Sequence, residues 1–549
     1  MRAPDYDVVI IGYGPVGAVL ANVLGAAGCS VLLLDQMSDI YDKPRAINID
    51  HEVMRVLQRV DLADAVEAMT VIYQGTDFLG LDGRPIKVFE PSPPPYPLHW
   101  APNLLFVQPE FERVLRGGVD RFANVETRLE HQALSVWNGP DVAGLRFADR
   151  RGNEREATAR YIVACDGASS TVRKQLAISQ ESLDFDEWWT VVDAWVKRET
   201  SLPRRTTQFC WPSGPTTYVV GPRNLRRWEL KLMPGESPRD YENMDAVRRR
   251  LAPFVDTDAI EIWRAATYRF HALVADEWRR GRIFLAGDAA HQTPPFMAQG
   301  LCSGIRDVAN LSWKLIAVLG GRLSESVLAT YETERKPHIR ELVAVTKALG
   351  EVIGELDIEA AQRRDRELGA ALRAGKTVTV RQQLIPNLTA GILARDRDGL
   401  PTGAGGGLFP QPRIRLADGQ LLLLDDLVGD RFLLVLRGRE ASAWLGDAAS
   451  KMLARLGGVA LTLVAGQPER ANEFADEVGV LDDWMRARTC GGAIVRPDKY
   501  VFGLANSSES LTEICNQLVS QILAPADCWR ADHMSSRQRG AGDGRGVLG

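Results

Sequence analysis

Hydrophobic positions along the chain switch between two periods, and the switches outline its elements. DVVII at 7–11 is a β-branched run suited to a buried strand. GYGPVGAVLANVLGAAG then opens on glycines and continues as an Ala/Leu-rich helix, and SVLLLD at 30–35 reads as a second buried strand, so one βαβ unit is predicted. PSPPPYPLHWAP, from Pro91 to Pro102, is predicted as a loop or extended crossing, because proline lacks the N–H that helices and sheets use. QPEFERVLRGGV, from Gln108, predicts a helix opening. Between Trp188 and about Leu232 the chain is rich in Trp, Val, Thr and Tyr, with turn signals PSGP and GPRN, which predicts an antiparallel sheet able to wall a pocket. From Gly281 a strand, a proline-bearing loop and the helix LCSGIRDVANLSWKLIAVLGG follow, with helical spacing to about Ala394. PTGAGGGLFPQP, from Pro401 to Pro412, has the glycine and proline density of a linker. Beyond it RFLLVLRG, VALTLVAG and GGAIVRPDKYVFGLA predict a small α/β layer, and the stretch after Ala526 a disordered tail.

Composition narrows the class without touching the chemistry. A chain of 549 residues is too long for one ordinary core, so about two or three domains are expected. Hydrophobic residues at 45% and charged residues at 25% exclude a wholly disordered, collagenous or disulfide-framework protein. A formal net charge of -5 supplies no basic field for a nucleic-acid backbone, and Arg248 to Arg250 sit among acidic neighbours. Seven cysteines without a CxxC pair suit a reducing compartment, the start has no signal-peptide pattern, and no apolar run reaches the roughly 18 residues of a membrane span. The expectation is a cytoplasmic protein with neither nucleic acid nor membrane as partner and no metal site.

Three motifs carry chemistry. Gly12-Tyr13-Gly14-Pro15-Val16-Gly17 lies between a strand and a helix, with Asp35 ending the next strand. Such glycines allow a tight turn and close approach of backbone to a pyrophosphate on the helix N-terminus, and Asp35 stands where a carboxylate bonds ribose hydroxyls. The second motif is Gly287-Asp288 after RIFLA and before HQTPPFMAQGLCSGIRDVANLSWKL. It resembles the passage by which the para-hydroxybenzoate hydroxylase superfamily of flavoprotein monooxygenases holds FAD. That resemblance implies Asp288 on the ribityl chain, and backbone around Pro295, Gln299, Gly300 and Leu301 beside the isoalloxazine ring. A helix starting near Gly300 would aim its positive dipole end at the flavin N1–C2 region, where reduced flavin carries negative charge. The third, Asp166-Gly167-Ala168-Ser169-Ser170-Thr171-Val172-Arg173, resembles the DGxxSxVR motif of the same enzymes, whose Asp-Gly end lies near the pyrophosphate and ribityl region. Arg45 and Gln108 stand where members of the family place an arginine and a glutamine against the flavin and its adenosine side.

RAINIDHEVMRVLQ, AGDAAHQTPPFMAQGLCSGIRDVANLSWKL, YETERKPH and RPDKYV extend the resemblance over nearly the whole chain, to the 3-(3-hydroxyphenyl)propionate hydroxylases and their phenol and polyketide hydroxylase relatives. The implied fold class is α/β. A Rossmann-like FAD-binding domain would occupy 1–180 and 276–395, an antiparallel-sheet substrate domain 181–275, a thioredoxin-like α/β domain 396–525 and a disordered tail 526–549. The implied activity is hydroxylation of a phenolic aromatic acid, 3-(3-hydroxyphenyl)propionate to its 2,3-dihydroxy product, in aromatic catabolism. FAD would be reduced by NADH or NADPH and react with dioxygen as a C4a-hydroperoxyflavin. Asp50 is the expected base for the phenol proton and His51 the runner-up, although an Asp-His pair at a helix start also reads as capping. His291 reads as structural. Arg204, Tyr218 and Arg264 are undistinguished candidates for the substrate carboxylate. Cys490 lacks a CxxC partner, so packing or oligomer contacts, including a homodimer, are expected of the C-terminal layer rather than dithiol exchange. A polyketide-type or other phenol hydroxylase remains an alternative, and a non-catalytic nucleotide-binding scaffold is the alternative outside enzymes. A halogenase is disfavoured by the absence of a WxWxIP-type stretch.

Overall fold

The structure is a computed structural model that describes residues 3–376 and 378–523, so the tail expected at 526–549 lies outside the described residues. The βαβ unit predicted from the N-terminal pattern is present. Strand Tyr6–Ile11 pairs in parallel with Val31–Leu34 on one side and Glu154–Ala164 on the other. Val125–Arg128 and Ile283–Leu285 extend the parallel set at its two ends. Parallel strands are covered on both faces, and the residues of VLLL at 31–34 accordingly are all buried. The chain leaves this sheet after Glu154–Ala164 and returns to it at Arg279–Arg280 and Ile283–Leu285, which brings the second motif beside the first.

Between those visits lies a larger sheet, nine strands among the described residues. Towards one edge runs a long antiparallel pair, Gln180–Val196 with Ile260–Ala275, followed by Leu225–Lys231, Thr216–Val220 and Thr206–Phe209. The predicted antiparallel sheet is therefore real, and it is wider than its local signal. Thr76–Leu79 and Pro85–Glu90, inside the expected 1–180 stretch, and Val378–Val380, inside 276–395, all add to it. Strand pairing is non-local, so short edge strands carry little sequence signal of which sheet they join.

The segment after the linker forms a seven-stranded sheet with its own core, including Ile414, Val435, Phe474 and Met485. Buried charge fastens it to the rest. Arg496, with no exposed surface, donates to Glu334 and Asp498, each at 2.6 Å. Glu334 also accepts from Lys314 at 2.9 Å, Asn310 at 2.6 Å and the backbone N–H of Ile392 at 3.0 Å. Nearby, Tyr500 donates to Glu52 at 2.7 Å, and Arg55 makes a two-pronged pair with Asp425 at 2.8 and 2.9 Å. Among the described residues no helix is long and apolar enough to cross a membrane.

Burial alone would raise the Glu334 carboxyl, but Arg496 and Lys314 overcome it and hold the group down at about 2, against an ordinary 4.5. Its contribution to stability is thus complete above pH 4.5 and is lost as pH falls toward 2. Arg496→Met leaves Glu334 short of its main partner and should cost about 3–5 kcal/mol at neutral pH, read as a lower urea midpoint, with a shallower loss of stability between pH 4.5 and 2 than in the parent.

Candidate active site

The glycine turn is shaped by contacts that no side chain could share. Gly12 has φ +105°, and a Cβ there would sit 2.3 Å from the Cys165 carbonyl oxygen. A Cβ on Gly17 would lie 2.0 Å from the Gly12 carbonyl oxygen, so helix Pro15–Ala26 packs directly on the turn. At Gly14 a Cβ would meet nothing within 4 Å. Gly14 also caps that helix without a side-chain hydrogen bond, which leaves first-turn N–H groups free for an anion. Asp35 braces the turn from the second strand, accepting from the N–H of Tyr13 at 2.6 Å and of Met37 at 2.7 Å.

The second motif is brought to the same place. In the turn Gly287–Ala289 both ends are buried and Asp288 alone is exposed, while the protein packed around its carboxyl pushes that group above its ordinary value. A Cβ on Gly304, in helix Gly300–Leu319, would lie 2.7 Å from Val16 and 3.1 Å from Gly287, so the three segments converge on one point. Asp307, one turn further along that helix, has no exposed surface. It accepts from the N–H of Gly287 at 3.1 Å and from Arg335 at 3.0 Å, and its Oδ2 lies 2.7 Å from His291 Nε2. Burial raises the Asp307 carboxyl, yet His291 and Arg335 prevail and hold it below the usual range. His291 is buried and stacks on Trp278, a structural histidine.

The third motif knits itself to the second. Ser170 caps the N–H of Arg173 at 3.0 Å, and buried Arg173 donates to the carbonyls of Ala168 and Ala289, both at 2.9 Å. Asp166 accepts from Val172 at 3.1 Å through one oxygen, while its other oxygen is buried without a partner. Gln108 is buried and pins the facing loop, its Oε1 accepting from the N–H of Arg45 at 2.7 Å and of Ala46 at 2.5 Å. The Arg45 guanidinium lies over the Tyr41 ring, 5.5 Å from its centroid.

Beside Pro295, Phe296 and Ala298 opens a cavity. Phe78 and Phe89 give it an apolar wall, while Tyr73, Gln208, Glu229 and Arg381 supply polar groups. Arg381 donates to the Met297 carbonyl and lies over the Tyr73 ring at 5.1 Å. Gln299 follows at the head of helix Gly300–Leu319, its side-chain oxygen accepting from Arg306 at 2.8 Å and its nitrogen buried without a partner; Leu301 is half-buried in the first turn.

Asp50 and His51, the expected base and its runner-up, follow the cavity residue Asn48 in the chain. Asp50 has no exposed surface and does not line the cavity. It caps helix His51–Gln58 by accepting from Val53 at 3.2 Å and receives an Arg306 N–H on its other oxygen. Burial raises its carboxyl, but Arg306 more than offsets this, so the group lies below its ordinary value and is a poor proton acceptor. Burial depresses His51 to about 4, so that ring is neutral at pH 7. Arg204 is exposed, Tyr218 packs on Trp228 in a core, and Arg264 donates through Nη1 to the Pro44 carbonyl and Asp193 while its Nε and Nη2 are buried without a partner. None of the three lines the cavity. Tyr73, Gln208, Glu229 and Arg381 were missed because they belong to no local motif and meet only through the sheet.

A free helix N-terminus over Gly14, the lone exposed Asp288 and the unpartnered oxygen of Asp166 form a cradle that fits a dinucleotide such as FAD. Known proteins agree. The family described as the FAD binding domain matches residues 5–346, and the HcaD C-terminal domain matches 406–521. The chain belongs to this family of FAD-dependent aromatic hydroxylases. It is 32% identical over 519 residues to a probable NADH-specific resorcinol 4-hydroxylase of Rhodococcus jostii (strain RHA1), across 94% of this chain and 95% of that one. It is also 32% identical over 511 residues to a 3-(3-hydroxy-phenyl)propionate/3-hydroxycinnamic acid hydroxylase of Mycolicibacterium gilvum (strain PYR-GCK), across 90% and 88% of the two. The fold is shared with the flavin-dependent monooxygenase PieE in complex with FAD and substrate (TM-score 0.77, 22% identity, 95% of this chain and 100% of that one). It is also shared with aklavinone-11 hydroxylase with FAD and aklavinone (TM-score 0.74, 23% identity, 95% and 100%). The enzyme is therefore FAD-dependent.

The glycines separate folding from cofactor binding. Gly14→Ala meets no protein atom and should fold normally while weakening FAD at least about tenfold, or about 1.4 kcal/mol. Gly17→Ala, against backbone at 2.0 Å, should lower the yield of folded protein itself. Flavin titration and thermal unfolding of the two variants check this split.

Proposed function

We propose that this hydroxylase acts on a small phenol bearing a carboxylate, converting 3-(3-hydroxyphenyl)propionate to its 2,3-dihydroxy product. The observation that carries the reading is Arg381, a buried cation in the wall of the cavity beside Pro295 and Phe296. A buried guanidinium seeks an anionic partner, and its planar fork matches a carboxylate. Phe78, Phe89 and Phe296 would hold the ring and exclude water, so that the reacting carbon is positioned before chemistry.

In this reading Gly12, Gly14 and Gly17 face the pyrophosphate of FAD, Asp288 the ribityl chain, and the first turn of helix Gly300–Leu319 the flavin ring. FAD held by these residues would supply hydride acceptance from NADH or NADPH and transfer of one oxygen atom of O2 to the substrate ring. Asp50 acts as a positioning residue, holding Arg306 and through it Gln299 at the head of that helix. A second reading, an uncharged phenol such as resorcinol, is favoured by the relative named as a resorcinol 4-hydroxylase.

The test is NAD(P)H oxidation in air by the FAD-loaded enzyme with each phenol, with product mass. Stimulation by 3-(3-hydroxyphenyl)propionate and a product heavier by one oxygen are expected; stimulation by resorcinol alone selects the second reading. Arg381→Met should raise KM for the carboxylated substrate about tenfold to a hundredfold, the worth of one charged hydrogen bond, and leave KM for resorcinol nearly unchanged. Equal effects on both substrates would remove Arg381 from carboxylate recognition.

A further inference from the structure

We propose that Glu229 is the catalytic base of this enzyme, its carboxylate facing the substrate in the cavity bounded by Pro295, Phe296 and Ala298 and taking the phenolic proton. The inference rests on the reading of the substrate as a phenol.

Glu229 lies on strand Leu225–Lys231, opposite Thr217 in the register with Thr216–Val220. Thr217 and Glu229 line the cavity, whereas the next residues along, Tyr218 and Trp228, point into a hydrophobic cluster, as the two-residue period of a sheet requires. The carboxyl is 6% exposed, and no hydrogen bond from a described residue holds it. Its nearest cation is Arg227 on its own strand, whose Nη1 lies 4.0 Å from Oε1. That guanidinium is already spent. Nε and Nη2 donate to Asp193 on the neighbouring strand at 2.7 and 3.3 Å, and Nη1 donates to the Arg45 carbonyl at 2.8 Å. Asp193 adds like charge, and Arg381 and Tyr73 are the other titratable groups in the cavity wall. Burial therefore prevails over Arg227, and the carboxyl rises from 4.5 to about 7. Asp50, Asp307 and Glu334 are equally buried, but each is paired with a guanidinium and lies low. Glu229 is the cavity-facing carboxyl whose affinity for a proton suits exchange with substrate near neutral pH.

The step balances. The phenol O–H bond breaks, a carboxylic O–H forms on Glu229, and the electron pair stays on the phenol oxygen, where it enriches the ring carbon that receives oxygen. When the hydroxylated ring loses its C–H proton to water, the Glu229 proton returns to the phenol oxygen, restoring carboxylate and aromaticity.

The experiment is a pH series of kcat/KM on the FAD-loaded enzyme with 3-(3-hydroxyphenyl)propionate and with resorcinol, for the parent, E229Q, E229D and D50N. The parent should gain activity as pH rises through about 7, because the base must be ionised. E229Q should lose about a hundredfold or more near neutral pH, lose that limb, and recover only as the phenol ionises by itself. E229D should regain part of the rate with a displaced limb, which a merely structural role would not produce. Parent-like rate and limb in E229Q, an unmoved limb in E229D, or loss of the limb in D50N alone would overturn the proposal. Should E229Q fail to retain flavin, the E229D limb decides. A parent enzyme that hydroxylates neither phenol overturns the substrate reading together with this one, whereas hydroxylation by the parent and an unchanged E229Q overturns Glu229 only.

Discussion

The cofactor cleft depends on the carboxylate of Asp307, which has no contact with solvent and takes partners from three different parts of the chain. Gly287 belongs to the turn after the last parallel strand, His291 to the strand that follows it, and Arg335 to helix Thr330–Gly354. A buried anion is tolerated only when its lone pairs are filled by well-placed donors, so the position of each segment is set by the others. Loosening one of them exposes an unpaired charge to a low-dielectric interior. The arrangement thereby holds Asp288 outward and keeps Gly304 against Val16, two features on which the shape of the cradle rests.

Buried carboxylates elsewhere in the molecule show what pairing decides. Asp50 shares Arg306 with Glu52, and Glu52 in turn accepts from Tyr500 of the C-terminal layer. Glu334 sits among Lys314, Asn310 and Arg496. Neighbouring cations hold the Asp50 and Glu334 carboxyls below their ordinary range. Glu229 has comparable burial, but the arginine beside it is committed to Asp193, so the same desolvation acts on it almost unopposed. Among carboxyls of similar burial, the charge beside each one thus decides whether it lies below or above its ordinary range.

The C-terminal layer enters this account through RPDKYV. Arg496 and Asp498 reach the helices of the cofactor unit, and Tyr500 reaches Glu52 in the helix that Asp50 caps. Cys490 is buried, and burial pushes its thiol up, so it offers packing rather than reactivity. The layer therefore supports helix His51–Gln58, which follows the cavity residues Ile47 and Asn48, at a distance in sequence of more than four hundred residues.

The sequence by itself determined the βαβ unit, its glycine turn and the flavin motifs, because those signals are local: β-branched runs, glycines where a Cβ would strike backbone, and a capping serine before Arg173. It also determined the family, through motifs that keep their order along the chain. Only the tertiary structure decided the substrate cavity. Tyr73, Glu229, Phe296 and Arg381 come from four distant stretches, and nothing in the neighbours of any one of them announces the others. Only the tertiary structure, too, set the surroundings of Asp50, because a carboxylate's proton affinity follows from burial and from the charge beside it, and its partner Arg306 lies 256 residues away.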